Sequence, residues 1–178
     1  MKRITAGLLC VALAACGGAP APTVDLPDER RQMTADVIGT GGDVIGEVVL
    51  SHDVHGMMFR VAATGLPHGW HGAHLHTVGS CADFADGFKA AGGHINPTGD
   101  EHGLLNPNGF HVGANFPNLY VPEDGSLRVE VFSQGLTLDE ANDADGFTFI
   151  IHINEDDHVS QPIGGAGGRI ACAAFTSS

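Results

Sequence analysis

The sequence predicts an all-β protein built as an antiparallel sandwich or barrel. Seven short segments mostly alternate between apolar and polar residues, and several are rich in Val, Ile and Phe, as strands are. Clusters of Gly, Pro, Asn and Asp separate these segments, and the 178 residues include 26 glycines, as in chains with many turns. Helical periodicity is almost absent, so an antiparallel sandwich or barrel is the expected architecture. The predicted strands are 33–39, 43–51, 56–66, 72–78, 127–132, 147–153 and 169–175.

Two long stretches between the predicted strands lack any periodicity. They cover residues 79–117 and 154–168, whereas residues 137–143 have the pattern of a single helical turn. Loops of such length without secondary structure of their own are usually functional. Because both stretches border histidines, we expect them to shape a functional site.

The first 15 residues have the pattern of a secretory signal. Two basic residues precede an apolar run that is too short to span a membrane as a mature helix. The run ends in Leu-Ala-Ala-Cys16, the pattern of bacterial lipoprotein signals, in which the cysteine becomes lipidated. A signal cut elsewhere, with Cys16 incidental, is the alternative. Residues 16–32 are then a lipidated cysteine with a flexible tether, and residues 33–178 are one domain.

These features predict a periplasmic protein that is attached to a membrane through a lipid at Cys16. Gly17, and not an aspartate, follows the cysteine, which favours the outer membrane over the inner one. No other hydrophobic stretch is long enough to cross a bilayer.

The chain is strongly acidic. Its formal net charge is −13 at pH 7, from 8 basic and 21 acidic residues. A surface of this sign argues against nucleic acid as a partner and against adhesion to anionic lipid headgroups. Solubility alone would also account for the charge.

The cysteines divide by position. Cys10 lies in the signal and Cys16 is the predicted lipid site, which leaves Cys81 and Cys172 as the possible intramolecular pair. Export would place this pair in an oxidising compartment, where a disulfide persists. The chain has no Cys-x-x-Cys, so a structural bond is favoured over a redox role. In the loop-entropy model such a bond would stabilise the fold by roughly 4–5 kcal/mol.

Six of the 11 histidines lie where metal chemistry would require them. His74 and His76 are two residues apart in a predicted strand, so both imidazoles project from one face. His152 shares a face of its predicted strand with Thr148 and Ile150. Taken singly, a strand histidine is more often incidental or part of a core, and a loop histidine more often lies at the surface. The loop over 79–117 carries the other three, His94, His102 and His111, and such a loop can fold around a metal ion.

The combination resembles the copper–zinc superoxide dismutase family, and its bacterial branch in particular. The resemblance covers roughly residues 33–176. It implies an eight-stranded antiparallel Greek-key barrel or sandwich in which the two long loops form the metal site. The motifs that carry it are "HGAHLHTVGSC" (71–81), "GGHINP" (92–97), "HVG" (111–113), "IIHINEDD" (150–157) and "GGRIAC" (167–172).

The resemblance also implies a role for each matching residue. His74, His76, His94 and His152 correspond to copper ligands, and His94, His102 and His111 to zinc ligands, so that His94 bridges the two metals. Asp156 corresponds to the carboxylate that links a copper-ligand histidine to a zinc-ligand histidine, and His71 to a supporting histidine. Arg169 corresponds to the arginine beside the copper, and Cys81 and Cys172 to the family disulfide.

One departure from the family pattern concerns zinc. The family supplies an aspartate as the fourth zinc ligand, in the sequence His-x-Gly-Asp, whereas this chain has Ala114 and Asn115 after His111-Val112-Gly113. Alanine cannot bind a metal, and asparagine offers only a neutral carbonyl oxygen. We therefore expect Asn115 to be a poor ligand and zinc affinity to be weakened, with water, Asp100 or Glu101 completing the site.

The activity that the resemblance implies is the conversion of superoxide to oxygen and hydrogen peroxide. Copper and zinc are the implied cofactors, His94 would carry a proton, and Arg169 would attract the anion. A non-enzymatic copper- and zinc-binding lipoprotein is the competing interpretation, and a purely structural Ig-like module is a third. The family includes monomers and homodimers. Four histidines match no motif and are expected at the surface or at weak metal sites: His52, His55, His68 and His158.

Overall fold

The computed structural model describes residues 32–107 and 114–176. These residues form nine strands and one short α-helix. No helix among them has both the length and the apolar character that a bilayer crossing needs. The elements are β1 (Gln32–Gly39), β2 (Val44–Asp53), β3 (Gly56–Ala63), β4 (Gly69–His71), β5 (Ala73–His76), β6 (Leu119–Val121), β7 (Leu127–Gln134), α1 (Leu138–Ala141), β8 (Phe147–His152) and β9 (Arg169–Phe175).

Seven of the strands form a single antiparallel sheet, in the order β5-β8-β9-β1-β2-β3-β7. Strands β4 and β6 pair antiparallel in a separate small sheet. Neighbours such as β2 and β3 follow each other along the chain, whereas β9 returns to pair with both β1 and β8. This return brings the C-terminal strand next to the strand that carries His152.

The core lies on one face of the large sheet, as the alternation of apolar residues predicts. Phe59 of β3 is fully buried at its centre. Its ring centroid lies 5.7 Å from that of Phe116, 5.4 Å from that of Phe149 and 6.1 Å from that of Phe175. Each fully buried large apolar side chain contributes about 1.5–3 kcal/mol, so the aromatic cluster anchors strands β3, β8 and β9 and the loop before β6 to one another.

Each of the seven predicted strands corresponds to a strand of the structure. The segment predicted at 72–78 is occupied by β5 alone, and β4 precedes it from Gly69. The break falls at Gly72, whose N–H donates to Asn154 O and whose carbonyl accepts from His152 N–H. Strands β4 and β6 have only three residues each, which is too short for an alternating pattern to be recognised. They raise the number of strands in the described residues to nine, where eight were expected.

The single helical turn predicted at 137–143 is confirmed as α1. Thr137 caps it, because its side chain accepts a hydrogen bond from the N–H of Glu140 while the Glu140 carboxylate accepts one from the N–H of Thr137. This reciprocal pair is a capping box, which satisfies two backbone donors at the start of the helix.

The first long loop attaches to the free edge of strand β5. The N–H of Ile95 donates to Leu75 O, and the N–H of Leu75 donates to Ala114 O. Isolated β-bridges pair His76 with His94 and His74 with Asn115. Segments from both halves of the loop therefore lie directly beside the strand that carries two histidines.

Candidate metal centre

The sheet places three imidazoles on the face opposite the main core. Strands β5 and β8 pair so that His74 lies opposite Ile150 and His76 opposite Thr148. Residues of a strand alternate between faces, so His152 shares the face of Ile150, while Phe147, Phe149 and Ile151 of β8 enter the main core. The predicted face of β8 is therefore the one observed.

The loop completes a cluster of four imidazoles. His94, held beside His76 by the bridge, stacks on His74 with ring centroids 4.2 Å apart and lies 4.8 Å from the ring of His76. One potential ligand atom from each of four residues lies within 4.8 Å of all the others, and these residues are His74, His76, His94 and His152.

Hydrogen bonds orient three of these rings for metal binding. His76 donates from Nδ1 to Gly92 O at 3.0 Å, and His152 donates from Nδ1 to Gly167 O at 3.1 Å. His74 donates from Nε2 to Asp156 Oδ2 at 2.6 Å. Each bond fixes the tautomer, so the lone pair stands on the opposite ring nitrogen.

The nitrogens left over are Nδ1 of His74 and Nε2 of His76 and of His152. All three are buried, and none has a hydrogen-bond partner within residues 32–107 and 114–176. A buried polar atom without a partner costs free energy unless something binds it. Neutral imidazole nitrogens are ligands for both copper and zinc, so the residues present fit a metal ion at this position.

Burial keeps these imidazoles uncharged. Because burial penalises the charged form, it lowers the pKa of His76 to about 2 and that of His152 to about 3. Burial likewise lowers the pKa of His74 and that of His94, and the neighbouring histidines lower the pKa of His94 further. The neutral form is the one that binds metals, so His74, His76 and His152 need to release no proton before they take an ion at neutral pH.

A buried carboxylate connects this cluster to a further histidine of the loop. Asp156 Oδ2 accepts from Nε2 of His74 at 2.6 Å and from Nε2 of His102 at 2.8 Å, and Asp156 is only 2% exposed. Burial opposes ionisation of Asp156, but the hydrogen bonds from His102 and His74 outweigh it, so its pKa lies below the ordinary range. Asp156 thus connects His74 with His102, the two residues between which the family resemblance implies a linking carboxylate.

Side chains that the sequence did not single out hold this carboxylate in place. The Asn118 side chain donates to Asp156 O and accepts from Asp156 N–H, both at 2.8 Å. Gln161 similarly clamps His102, with Oε1 accepting from His102 N–H and Nε2 donating to His102 O, both at 2.8 Å. Both contacts join the segment between β5 and β6 to the loop over 154–168, so only the tertiary structure reveals them.

A bulge positions Arg169 beside His152. The register of β8 and β9 shifts between Ile151 and His152, so that His152 lies opposite Arg169. Bulges re-aim side chains in this way. Arg169 then donates from Nη1 to Phe88 O and from Nη2 to Gly92 O. Because Gly92 O also accepts from His76, one carbonyl fixes both the arginine and a histidine of the cluster.

Arg169 is partly buried and stays charged. Burial lowers its pKa from the ordinary value, and the attraction of Asp83 opposes this shift. A guanidinium carries five N–H donors, so the two carbonyl contacts leave donors for an anion.

A disulfide ties the same part of the loop to β9. Cys81 and Cys172 are bonded, with their Cα atoms 5.8 Å apart and a sequence separation of 91. The predicted pairing is confirmed. Cys172 packs with Phe88, Ala91 and Ile150 in a small second core, and this core supports the loop segment whose carbonyls hold Arg169.

A cavity of about 510 Å³ opens onto the imidazole cluster. Its wall consists of imidazole rings of the cluster, one guanidinium, one carboxylate, amides and apolar side chains. The side chains on this wall include His76, His94, His152, Arg169, Asn96, Asp100 and Gln161. The site can therefore admit a small anion to the place where Arg169 and the histidines meet.

The structure describes some, but not all, of the residues that were predicted to bind zinc. His102 is fully buried, and its ring centroid lies 5.2 Å from that of His94. Asn115 is buried beside His74, whereas Asp100 and Glu101 are exposed. His111 lies outside the described residues. Among the residues described, neither cluster of potential ligands includes Asp100 or Glu101.

The other histidines take structural or surface positions. His71 is buried, with Nδ1 2.8 Å from His152 O and Nε2 2.9 Å from Pro67 O. His68 lies 3.0 Å from the hydroxyl of Tyr120. His158 is close to Asp156, with Nδ1 3.8 Å from Oδ1, so it borders the centre although no motif indicated this.

Fold and site together define a class: an antiparallel β protein with a buried histidine centre suited to copper and zinc. Residues 44–175 match the family of copper/zinc superoxide dismutases. The Cu-Zn superoxide dismutase of Caulobacter vibrioides is 38% identical over 149 residues, which cover 80% of this chain and 84% of that protein. Cu-Zn superoxide dismutase 2 of Salmonella typhimurium is 37% identical over 186 residues, covering 98% of this chain and 99% of that protein. The chain therefore belongs to the copper/zinc superoxide dismutase family.

Solved structures of similar proteins have the same fold. A mutant of a superoxide dismutase-like protein from Bacillus subtilis has a TM-score of 0.75 and 33% identity, covering 81% of this chain and 97% of that one. The Cu/Zn superoxide dismutase of Brucella abortus has a TM-score of 0.66 and 30% identity, covering 81% of this chain and 99% of that one. The predicted antiparallel Greek-key fold is confirmed.

Proposed function

We propose that this protein converts superoxide to oxygen and hydrogen peroxide at a copper ion held by His74, His76, His94 and His152. The observation that carries the proposal is the geometry of the cluster. Four imidazoles converge within 4.8 Å, three of them buried and His94 half-buried. The three buried rings each have the lone-pair nitrogen fixed by a hydrogen bond on the other side of the ring. The guanidinium of Arg169 lines the same cavity.

A bound copper supplies the one-electron exchange that the reaction requires. Arg169 attracts superoxide and orients it, because its fork of donors fixes an oxyanion more firmly than an ammonium does. The carbonyls of Phe88 and Gly92 hold the guanidinium still, so that little rearrangement accompanies anion binding.

His94 is the residue suited to hold the proton that peroxide needs. It stacks on His74, and its ring lies between those of His76 and His102, 4.8 Å and 5.2 Å away. A proton can rest on the His94 nitrogen that faces the copper histidines and pass from there to the product. Asp156 keeps His74 and His102 fixed on either side of this ring while the proton moves.

Local charge resolves the conflict between an acidic protein and an anionic substrate. The formal net charge of −13 repels superoxide at long range. Arg169 lies inside a cavity with low-dielectric walls, where an attraction is screened less than at the surface. The arginine therefore acts over the last few ångströms of the approach.

Direct superoxide decay tests the proposal. The purified protein is loaded with copper and zinc, its metal content is measured, and decay is followed by stopped flow. Rapid decay in proportion to bound copper is expected. His152→Ala should lose copper and decay together, whereas the matched control His52→Ala, in the β2–β3 hairpin, should keep both. Full copper occupancy without decay above buffer would overturn the proposal and favour a copper-binding protein without enzyme activity.

We further propose that a zinc ion held by His94, His102 and His111 binds weakly in this chain. The support is the chemistry at the fourth position, where Ala114 and Asn115 replace the expected aspartate. An amide oxygen is a neutral, poorer zinc ligand than a carboxylate. Asn115 is buried next to His74, so a carboxylate placed there would be close to the centre.

Competition with a chelator measures this zinc affinity. Asn115→Asp is expected to tighten zinc binding by at least about ten-fold, which corresponds to about 1.4 kcal/mol. Asn142→Asp, a residue at the end of α1, is the matched control and should change nothing. Equal zinc affinity of the wild type and Asn115→Asp would show that Asn115 is not the missing position.

We also propose export and lipid attachment at Cys16. The Cys81–Cys172 disulfide supports an oxidising compartment, and the signal pattern supports the anchor. Cys16→Ala is expected to move the protein from the membrane fraction to the soluble periplasmic fraction. An unchanged distribution would exclude the anchor.

A further inference from the structure

One carboxylate faces the cavity that leads to the copper histidines. Apart from the imidazoles, the ionisable side chains on the described wall of this cavity are Arg169 and Asp100. Arg169 is partly buried, while Asp100 is exposed. The negative group therefore stands at the solvent side of the passage and the positive group beside the metal ligands.

The backbone of Asp100 is held in place by its own turn. Asn96 donates from Nδ2 to Asp100 O at 2.8 Å and accepts at Oδ1 from Gly99 N–H at 3.0 Å. Asn96 also lines the cavity. Because this turn is closed by side-chain hydrogen bonds, Asp100 keeps its position at the passage.

The side chain of Asp100 differs from its backbone in having no bonding partner within the described part of the chain. No hydrogen bond or ion pair to the Asp100 carboxylate is formed there, whereas the neighbouring Glu101 carboxylate accepts from Asn106 Nδ2 at 3.0 Å. Glu101 is also not among the residues of the cavity wall. No cationic side chain of the described residues is therefore paired with the Asp100 carboxylate, which faces whatever passes through the cavity.

A carboxylate in this place acts oppositely on the two species that must use the passage. It attracts a copper cation on its way to the histidines, and it repels superoxide on its way to the same site. We propose that Asp100 is a receiving group for copper ions, which speeds metal loading and slows the arrival of superoxide. The part of this inference that concerns superoxide rests on the proposed function, and the part that concerns copper does not.

The test compares Asp100→Asn with Asp36→Asn, which removes the same charge from the exposed face of β1, outside the cavity. Copper uptake by the metal-free protein is followed by stopped-flow absorbance, and superoxide decay is measured on the copper-loaded protein. Asp100→Asn should slow copper uptake about two- to five-fold and accelerate superoxide decay by a similar factor at low ionic strength. Both effects should shrink at about 0.5 M salt, where the Debye length is a few ångströms.

The control separates a local effect from the charge of the whole protein. Asp36→Asn should change neither rate by more than a small fraction. Unchanged copper uptake in Asp100→Asn, or an equal change in Asp36→Asn, would overturn the inference. If no variant decomposes superoxide but Asp100→Asn still slows copper uptake, the proposed enzyme activity fails and the copper-receiving role of Asp100 stands.

Discussion

At the scale of single residues, two backbone carbonyls determine what Arg169 can do. Phe88 O and Gly92 O accept from its two terminal nitrogens, and the bulge in β9 sets its starting point opposite His152. Only glycine fits at position 92, because the backbone there has a φ of +77° and a Cβ would meet Thr77 Oγ1 at 2.4 Å. Backbone carbonyl oxygens therefore orient the arginine, and a motif of side chains in the sequence does not reveal them.

Replacement of Arg169 should therefore lower the rate without removing copper. Arg169→Ala is expected to slow superoxide decay by about 10²-fold, a typical result of removing an oriented donor from an anion site. Arg169→Lys keeps the charge without the fork and should lie in between. The measurement is decay per bound copper. An unchanged rate per copper in Arg169→Ala would remove Arg169 from the mechanism.

At the scale of elements, the two long loops meet around Asp156. Asn118 and Gln161 each make a two-way clamp across the contact. Gly164 packs against Asp156 on one side of this contact. Its φ is +59°, and a Cβ there would lie 1.7 Å from Asp156 Oδ1 and 2.9 Å from His102 Nε2. The loop over 154–168 can therefore approach the carboxylate only if this position is glycine.

A pair of adjacent glycines tests this contact. Gly164→Ala should displace Asp156, so the protein should lose zinc to a chelator and unfold at a lower temperature. Gly165→Ala is the matched control, because its φ of +71° imposes similar backbone strain while a Cβ there meets nothing within 4 Å. The control should cost only about 1–2 kcal/mol. Equal losses in both variants would show that backbone strain, and not the clash with Asp156, causes the effect.

At the scale of the whole molecule, the buried centre makes stability depend on pH when no metal is bound. The unfolded chain takes up protons on its histidines below about pH 6.5, whereas burial lowers the pKa of His76 to about 2 and that of His152 to about 3 in the folded protein. Below pH 6.5 the unfolded state therefore binds more protons than the folded state. Stability is lost as the pH falls, by up to about 1.4 kcal/mol per pH unit for each such histidine.

Urea unfolding of the metal-free protein measures this loss. Between about pH 7 and about pH 5.5, the free energy of unfolding should fall by at least about 2 kcal/mol from His76 and His152 together. His74 and His94, whose pKa values are also lowered, add to it. His152→Gln should reduce the loss by about 1 kcal/mol. A free energy that is constant over this range would show that the folded protein takes up protons at these sites.

The sequence alone determined the fold class, the seven main strands and the helical turn of α1, because alternation and capping are local patterns. It also predicted that His74 and His76 share one face of a strand and that His152 shares a face with Thr148 and Ile150, because side chains alternate between the two faces along a strand. Through the family motifs it predicted Asp156, Arg169 and the Cys81–Cys172 pair.

Only the tertiary structure decided how distant segments meet. The short strands β4 and β6, the bulge that orients Arg169 and the clamps of Asn118 and Gln161 all depend on contacts between segments far apart in the sequence. The turn of Asp100 is local, but its place on the cavity wall also follows from the tertiary structure. Loop conformation follows from hydrogen bonds to an edge strand and to another loop, and no periodic pattern records such bonds. The physical reason is that periodicity reflects burial along one element, whereas the metal centre is assembled between elements.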